Sequence, residues 1–571
     1  MSQINNILYE EKEITEEETQ IAKNLMNNNI HPVMSYVYAF RNIKDINDLN
    51  NAEQLISFQL LENIEKSSII LRNAIQKNKR ICIVADYDAD GATSCAIAVR
   101  GLKMFGANVN FIVPDRIVHG YGLTPSVIDE AIKKYDPELI VTVDNGIASF
   151  DGIDYANTKG IEVLVTDHHL QGDSIPNASC IVNPNQKICN FPSKNLAGCG
   201  VIFYVLAALR DYCIKMGDYT SKTAPNVFSL LDLVAIGTVS DLVKLDKNNK
   251  ILINLGLKLI RNGQTKPGIM ALIEVAKKNF HNLNSIDIGF GIGPRINAAG
   301  RLKDMTIGIN CLLSDDFEES MNLAYELDNI NKKRKVIETQ MKEESLEPDT
   351  LQGGDFVKVA YSDSFHEGVI GIVASRLKEM FYKPTIVFAP SHDDELIKGS
   401  GRSINEIHLR DAIDYVHKKN PNIIVKFGGH AMAAGLTIKK EYFEEFINLF
   451  EEAVKYFANG VIYKNTKVVD LDLFADEINL DLAQEIKKEI WGQGFPQPLF
   501  SGVFEVKQQQ ILKEQHSKFI LEKDGYSFEA IWFFYNELIQ QDKIELVYSL
   551  SINEFRNNVN VQLLIDGVKN K

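Results

Sequence analysis

Carboxylates and imidazoles stand at the ends of four short apolar runs in the first half of the chain. The runs are 81–85, 139–143, 163–166 and 230–239, and the residues that follow them are Asp86, Asp88 and Asp90, then Asp144, then Asp167-His168-His169, and last Asp241. Oxygen ligands with a minority of imidazoles suit Mn²⁺ or Mg²⁺, whereas a structural zinc site would use thiolates. The sequence therefore predicts a site for divalent cations.

The apolar runs indicate how these residues are positioned. Short β-branched and aliphatic runs followed by helix-like segments are typical of buried parallel strands, although 230–239 is long enough to be partly helical. In an open α/β sheet, ligands bind at the carboxyl ends of the strands. We therefore expect a doubly wound parallel sheet whose polar strand ends meet in one crevice.

The first cluster, Asp-x-Asp-x-Asp-Gly, has a rival interpretation as a calcium-binding EF-hand loop. Position 12 of such a loop would be Ile97 instead of Glu, and a strand precedes the motif instead of a helix. Three carboxylates at alternate positions cannot all be buried without compensation, which divalent cations would supply. The sequence favours a catalytic metal site over a calcium loop.

Each of the other clusters also has a plainer interpretation. Asp144-Asn145-Gly146 could equally form a strand-to-helix turn, and Asp241 could cap a helix. Adjacent histidines on an extended segment point to opposite sides, so we expect one of His168 and His169 to bind metal and the other to meet substrate or a second metal. Taken together, the four clusters favour two cations bridged by a carboxylate, which suits hydrolysis of phosphate esters.

Composition limits the class of protein. With 571 residues and 45% hydrophobic residues, the chain can bury several cores. It has no apolar run of transmembrane length and no signal-peptide pattern at its start, and its seven cysteines form no Cys-x-x-Cys pair, so we expect a cytoplasmic protein without a membrane role. The net charge of −15 argues against a surface that binds nucleic acid everywhere, but not against a local basic channel.

Five segments are predicted along the chain. Residues 1–75 look helical, with a capping box at Thr15 and Glu18, and 315–350 should form one long linking helix. Residues 76–314 and 351–460 each alternate strand and helix. The last segment, 461–571, has short strands joined by polar turns, which predicts an OB-like β-barrel. Its candidate base-stacking aromatics are Phe519, Tyr526, Phe528, Trp532 and Phe534.

The motifs around these clusters resemble a known family. Asp86-Tyr87-Asp88-Ala89-Asp90-Gly91, Asp144-Asn145-Gly146 and Asp167-His168-His169 look like the motifs of the DHH phosphoesterase superfamily. Further motifs in the same order resemble its bacterial single-strand-specific exonucleases. They are Val113-Pro114-Asp115-Arg116, His119-Gly120-Tyr121-Gly122, 293–301, 366–376, 399–403, Gly428-Gly429-His430 and 491–498.

The resemblance implies a 5′-to-3′ exonuclease that degrades single-stranded DNA to mononucleotides in DNA repair and recombination. It implies two Mn²⁺ or Mg²⁺ ions, with Asp88, Asp144 and His169 at the reaction. The implied metal ligands are Asp86, Asp88, Asp90, Asp144, His168, His169 and Asp241. Arg116, Ser400 and Arg402 fall where the family grips the 5′ phosphate, and Ser400 and Arg402 are expected on a glycine-rich loop. The implied residues along the DNA path are Asn297, Arg301, Arg376 and His430.

Other interpretations stay open. Each arginine could be a solvated surface charge or the partner of a carboxylate, and Gly428-Gly429 could be a plain turn with His430 as a cap. A DHH phosphodiesterase of nanoRNA or cyclic dinucleotides would resemble 76–440 but would usually lack the barrel. A non-catalytic replication scaffold should have lost metal ligands, and none is replaced here. The expected partners are single-stranded DNA, single-strand-binding protein and a helicase, and the chain is expected to act as a monomer.

Overall fold

The structure is a computed structural model, and it describes residues 7–45, 52–114, 120, 122–555 and 558–569. The chain forms two compact units. Unit A comprises Ile14–Asn331 and Asn479–Pro498, and unit B comprises Met1–Glu13, Lys332–Ile478 and Leu499–Lys571. Among the described residues, no helix is both long enough and apolar enough to cross a membrane. The predicted division into five segments stays a prediction.

The N-terminal region is helical, except for one strand that the sequence did not predict. Its elements are β1 (Ile7–Glu11), α1 (Glu16–Asn27), α2 (Pro32–Phe40) and α3 (Ile64–Gln76). The capping box is confirmed, because Thr15 Oγ1 accepts from the Glu18 amide and the Glu18 carboxylate accepts from the Thr15 amide. Strand β1 pairs in parallel with Asn465–Val469. A fully helical leader was therefore the wrong expectation, since a pairing so distant in sequence leaves no local signal.

The predicted parallel sheet is confirmed. Its elements are β2 (Arg80–Ala85), α4 (Ala89–Met104), β3 (Asn108–Ile112), α5 (Pro125–Tyr135), β4 (Leu139–Val143), α6 (Phe150–Thr158), β5 (Glu162–Thr166) and β6 (Cys180–Val182). The strand order is β3-β2-β4-β5-β6, and every pairing is parallel. Ala85 is in register with Val143, and Val143 with Thr166. This register brings the residues after the three strands to one edge of the sheet.

The fourth apolar run is a helix and not a strand. The helices that follow the sheet are α7 (Gly198–Lys215), α8 (Leu231–Ser240), α9 (Lys247–Arg261), α10 (Pro267–Val275), α11 (Ser285–Asp287), α12 (Gly293–Leu302) and α13 (Thr306–Leu313). Helix α8 is buried on all sides, so its sequence shows no helical periodicity and looks like a buried strand. The fifth strand of the sheet is instead β6, which is only three residues long.

A long helix and a second sheet follow. Helix α14 spans Phe317–Glu344, within the stretch where the sequence predicts one long helix. The next elements are β7 (Leu351–Gln352), β8 (Lys358–Tyr361), α15 (Ile370–Phe381), β9 (Thr385–Pro390), β10 (Leu396–Arg402), α16 (Leu409–Lys419), β11 (Ile424–Gly429), β12 (Ala433–Lys439) and α17 (Phe443–Phe457). The sheet order is β11-β12-β10-β9-β8-β7. Ser400 and Arg402 lie on strand β10, so the expected glycine-rich loop is wrong there.

The C-terminal barrel is confirmed. Its region contains β13 (Asn465–Val469), β14 (Leu471–Asp472), α18 (Leu480–Lys488), β15 (Phe500–Leu512), β16 (His516–Lys523), β17 (Tyr526–Trp532), β18 (Lys543–Phe555) and β19 (Asn558–Val568). The sheet order β15-β16-β17-β19-β18 closes through a β15–β18 pairing. Phe519 and Phe528 are buried in the barrel core, so they cannot stack on bases, whereas Tyr526 and Phe534 are exposed.

Candidate metal centre

Asp144 occupies a tightly enclosed turn at the end of β4. Its backbone has a left-handed φ of 62°, a conformation that Asp and Asn tolerate better than most side chains. Its amide donates to the Thr166 carbonyl at 3.0 Å. A Cβ added to Gly198, at the start of α7, would lie 2.7 Å from Asp144 Oδ1. Gly198 is therefore required for the helix to approach this carboxylate.

The seven predicted ligands form three groups whose potential ligand atoms lie within 4.8 Å of one another. The groups are Asp86, Asp88 and Asp144; Asp144, His168 and His169; and Asp90, His168 and Asp241. Asp144 and His168 each belong to two groups. Each group could hold a metal ion, and the groups share ligands.

His168 and His169 face the same centre, so the expectation that they point to opposite sides is wrong. His168 Nε2 lies 3.1 Å from Asp144 Oδ1 and 3.6 Å from Asp241 Oδ2. The two imidazole ring centroids are 4.6 Å apart. The reason is that β5 ends at Thr166, and Asp167 Oδ1 then accepts from the amides of both histidines, which turns the chain.

Asp167 also fixes the His169 ring, a role that the sequence interpretation missed although the residue lies within the motif. Asp167 Oδ1 lies 2.8 Å from His169 Nδ1, and Oδ2 accepts from the Ile147 amide at 2.8 Å. Burial raises the pKa of Asp167, but the hydrogen bond and charge of His169 outweigh it and lower this pKa to about 2. Burial lowers the pKa of His169, and the same bond to Asp167 outweighs it and raises this pKa to about 9.

Two asparagines after β6 hold the backbone of the histidine pair. Asn183 Nδ2 donates to the His169 carbonyl at 2.9 Å, and Asn185 Nδ2 donates to the His168 carbonyl. Neither asparagine was predicted from the sequence, because a strand of three residues is too short to recognise.

Asp90 is bound by the N-terminus of α7. Its Oδ2 accepts from the Gly198 amide at 2.7 Å, and its Oδ1 accepts from the Cys199 amide at 2.9 Å. The positive end of the helix dipole stabilises a carboxylate in this position. The small residues around Gly198 were a signal for this close approach that the sequence interpretation did not use.

The buried carboxylates repel one another. Burial, followed by the charge of Asp241, raises the pKa of Asp90 to about 7, and burial, followed by the charge of Asp88, raises the pKa of Asp241 to about 7. Burial and the charge of Asp90 raise the pKa of Asp144 well above its usual range. Asp144 Oδ1 and Asp241 Oδ2 are buried, and in the described part of the chain they accept no hydrogen bond of good geometry, although His168 Nε2 lies close to both. Most of the potential ligand atoms are carboxylate oxygens that carry the same charge, and some of them lack hydrogen bonds. Such a set of ligands fits divalent cations.

Helix α12 packs directly on the connection between β2 and α4, which carries Asp86 and Asp88. Asn297 Oδ1 accepts from the Ala89 amide at 2.8 Å. A Cβ on Gly300 would lie 1.9 Å from the Tyr87 carbonyl oxygen. Asn297, predicted on the DNA path, thus also positions the ligand loop, and Arg301 lies four residues further along the same helix.

Ser400 and Arg402 form a compact group in unit B. Arg402 Nη1 lies 3.2 Å from Ser400 Oγ and donates to the Gly401 carbonyl at 2.8 Å. A Cβ on Gly371, in the first turn of α15, would lie 2.9 Å from Ser400 Oγ and 3.1 Å from Arg402 Nη2. A guanidinium and a hydroxyl beside a helix N-terminus form a suitable site for a phosphate.

The other predicted DNA contacts have different surroundings. Arg376 Nε lies 3.1 Å from Glu338 Oε1, so it has the carboxylate partner that the plainer interpretation expected. The His430 amide donates to the Ala433 carbonyl at 2.8 Å and closes the β11–β12 turn. Arg116 lies outside the described residues.

Three family models match the chain. The DHH family N-terminal domain matches residues 80–238, the DHHA1 domain matches 354–456, and the RecJ OB domain matches 469–567.

Curated relatives match along almost the whole chain. The single-stranded-DNA-specific exonucleases RecJ of Salmonella typhimurium and of Escherichia coli are each 43% identical over 556 residues, covering 94% of this chain and 96% of theirs. The crystal structure of RecJ in complex with Mn²⁺ from Thermus thermophilus matches with a TM-score of 0.82 at 25% identity. That match covers 99% of this chain and 80% of the Thermus chain.

Proposed function

This chain belongs to the RecJ family of single-stranded-DNA-specific exonucleases, and from this premise we propose that it hydrolyses single-stranded DNA from the 5′ end with two divalent cations. The observation that carries the proposal is the position of Asp144, which belongs to two ligand groups at once. A carboxylate shared in this way is what a pair of cations about 4 Å apart requires.

The residues of the centre would bind two cations and contact the scissile phosphate. When bound, Mn²⁺ or Mg²⁺ would activate water and neutralise charge on the scissile phosphate. Asp86, Asp88 and Asp144 would hold one cation, and Asp90, His168 and Asp241 would hold the other, with Asp144 and His168 near both. His169, fixed by Asp167, would contact a cation or the scissile phosphate.

The 5′-to-3′ direction of hydrolysis would be set by a site that binds the terminal phosphate of the strand. Ser400 and Arg402 beside α15 would bind the 5′ phosphate, which carries more charge than an internal diester. Their geometry supports this role, because hydroxyl, guanidinium and helix N-terminus converge. We also propose that Arg116 contacts a phosphate of the strand and that hydrolysis releases mononucleotides.

The DNA path and the partners complete the proposal. Asn297, Arg301, Arg376 and His430 would line the path of the strand. We also propose that the enzyme acts in the cytoplasm, in DNA repair and recombination. Single-strand-binding protein and a helicase would supply the substrate, and the chain would act as a monomer.

The alternatives receive less support. The barrel and the near full-length similarity favour an exonuclease over a phosphodiesterase of nanoRNA or cyclic dinucleotides. All seven predicted ligands are present and grouped, which is unlike a scaffold that has lost its metals.

A digestion assay tests the proposed function. Single strands labelled at the 3′ end and phosphorylated at the 5′ end are digested with Mn²⁺ or Mg²⁺, with duplex DNA and a cyclic dinucleotide as competitors. We expect mononucleotides to be released from the 5′ end and neither competitor to slow the reaction strongly. Release from the 3′ end, or strong competition by the cyclic dinucleotide, would contradict the proposal.

A further inference from the structure

A mostly apolar cavity of about 220 Å³ adjoins the metal centre within unit A. Thr238 and Val239, in the last turn of α8, line the cavity, and Asp241 follows directly after that turn. One helical turn rises about 5.4 Å. A ligand in the cavity would therefore lie within one nucleotide's reach of the predicted metal ligands.

Two large apolar side chains stand exposed at the cavity. Phe290 is 82% exposed and Leu242 is 69% exposed. Phe290 lies in a π-helical turn, Ile288–Ile292, and Leu242 has a left-handed φ of 60°. Both conformations are uncommon and concentrate at functional sites. Exposed apolar surface in a concave site points to a ligand with an apolar face.

Residues of the segment 491–498 form another part of the cavity wall, and several contacts hold this segment in place. Trp491 stacks on Phe495 with ring centroids 5.1 Å apart, the Arg41 guanidinium lies 5.5 Å from the Trp491 ring, and the Lys250 ammonium lies 3.2 Å from the Phe495 ring. Ser285 Oγ donates to the Trp491 carbonyl at 2.8 Å and accepts from its amide at 3.1 Å. The segment 491–498 is therefore a preorganised surface and not a passive linker.

The positively charged side chain of Lys244, close to the cavity, indicates that the ligand carries negative charge. Lys244 is exposed and forms no ion pair within the described ranges, and its side chain lies beside Gly494 of the same wall. The exposed ring of Phe290 and an unpaired lysine between the lining residues Val243 and Leu245 match a nucleobase with its adjoining phosphate. A protein partner would require a wider apolar surface than this small cavity offers.

We propose that this cavity is a base-stacking subsite for one nucleotide of the single strand near the cleaved end. The ring of Phe290 would stack on the base, Leu242 would pack against its face or sugar, and Lys244 would contact a neighbouring phosphate. The proposal rests on the proposed function, because it takes the single strand as substrate. It adds a means of holding the strand that does not depend on the 5′ phosphate.

An abasic scan tests the subsite. A series of 5′-phosphorylated oligonucleotides is prepared in which one base at a time, starting from the 5′ end, is replaced by an abasic residue. Binding is measured by fluorescence anisotropy in EDTA, and single-turnover hydrolysis is measured in Mn²⁺. For the wild type, we expect one position near the 5′ end at which base removal weakens binding about tenfold, the scale of one stacked base.

Variants of the protein test whether the sensitive nucleotide position is bound in the cavity. Phe290→Ala should bind the intact strand about tenfold more weakly and should lose its sensitivity at that one position, whereas Phe290→Tyr should retain both. Tyr325→Ala serves as the matched control, because Tyr325 is 54% exposed on α14 of the same unit and is absent from the cavity wall. Circular dichroism checks the fold, which removal of so exposed a ring should not affect.

Two outcomes would contradict the proposed base-stacking subsite. One is an unchanged abasic profile in Phe290→Ala, and the other is an equal loss at every position, which would indicate a contact to something other than a base. A wild type that binds strands with the expected profile but does not hydrolyse them would contradict the proposed function and leave the subsite supported. The two proposals therefore fail separately.

Discussion

His168 Nε2 lies 3.1 Å from Asp144 Oδ1, although the two residues follow different strands of the sheet. The parallel register of β4 and β5 places the two strand ends side by side. Removing either side chain would therefore take a ligand out of two groups, and it would leave the other side chain without its neighbour in the group that both share with His169.

Asp144→Asn should lower the single-turnover rate more than about a hundredfold, because it removes the charge that both proposed cation sites share. Calorimetric titration with Mn²⁺ should show fewer bound ions. Asp173→Asn, at an exposed position, is the control and should behave as wild type. A rate within about tenfold of wild type at saturating Mn²⁺ would mean that Asp144 does not bridge, since tenfold is only about 1.4 kcal/mol in the barrier.

Stability without divalent cations should fall as pH rises. The raised pKa values of Asp90 and Asp241, about 7 in the folded chain, mean that the folded protein binds more protons than the unfolded one. This stabilisation is complete below the unfolded pKa, near 4, and is lost as pH rises through 7. Mg²⁺ should offset the loss, so its effect on Tm should grow from about pH 5.5 to about pH 8.

Thermal unfolding in EDTA and in saturating Mg²⁺ at several pH values measures this effect. The difference between the two conditions removes the contribution of groups far from the centre. Asp241→Asn should reduce the pH dependence of that difference. An equal Mg²⁺ effect on Tm across the range would rule out the raised pKa values of these buried carboxylates as its cause.

Gly198→Ala should weaken metal binding about tenfold or more while the fold is retained, because the new methyl would meet Asp144 Oδ1 and Cβ at 2.7 Å. Mn²⁺ affinity by calorimetry and Tm should be measured together. Gly172→Ala is the matched control, since a methyl there meets only the Ser174 carbonyl, at 3.9 Å. Wild-type affinity in Gly198→Ala would show that the turn can move aside freely.

Arg402→Ala should lose most of any preference for 5′-phosphorylated over 5′-hydroxyl strands and keep its Mn²⁺ affinity. The guanidinium supplies the charge that distinguishes a terminal phosphate from a diester. Rates on the two substrates give the preference, and Arg410→Ala, at an exposed position on α16, is the control. An undiminished preference would remove Arg402 from the proposed phosphate site.

Phe534→Ala should weaken binding of long strands about fivefold or more and leave the rate at saturating DNA unchanged, because stacking contributes about 1–3 kcal/mol per base. Phe534 is 85% exposed on the barrel, so its loss should not affect the fold. Anisotropy with a long and a short oligonucleotide measures the effect. If affinity for both is unchanged, the exposed ring serves another purpose, such as protein docking.

The sequence predicted the parts of this centre that depend on local pattern. Asp86 and Asp144 could be placed together because buried strands are recognisable and parallel strand ends share an edge. Strand β10 was taken for a loop because its glycines weaken the strand pattern. Those glycines pack against Phe388, Ile386 and other side chains, which no local signal shows.

Contacts between distant segments could not be predicted. The amides of Gly198 and Cys199 bind Asp90 across about a hundred residues of sequence. Asp167 was recognised as part of a motif, but its hydrogen bonds to His168 and His169 depend on how the chain turns after β5. Composition and periodicity report burial, and they do not report which polar groups meet.

Unit A is built from two segments that are distant in sequence, and this affects how it can fold during synthesis on the ribosome. The unit needs residues 479–498, yet its other residues end at Asn331. At about 5–20 residues per second, residues 14–331 would wait on the order of ten seconds for that segment. During that time Lys250 lacks Glu489, whose Oε1 lies 3.1 Å from the Lys250 ammonium in the finished protein, and the groove for Trp491 stands open. The nascent chain would be most prone to aggregation and proteolysis in this interval.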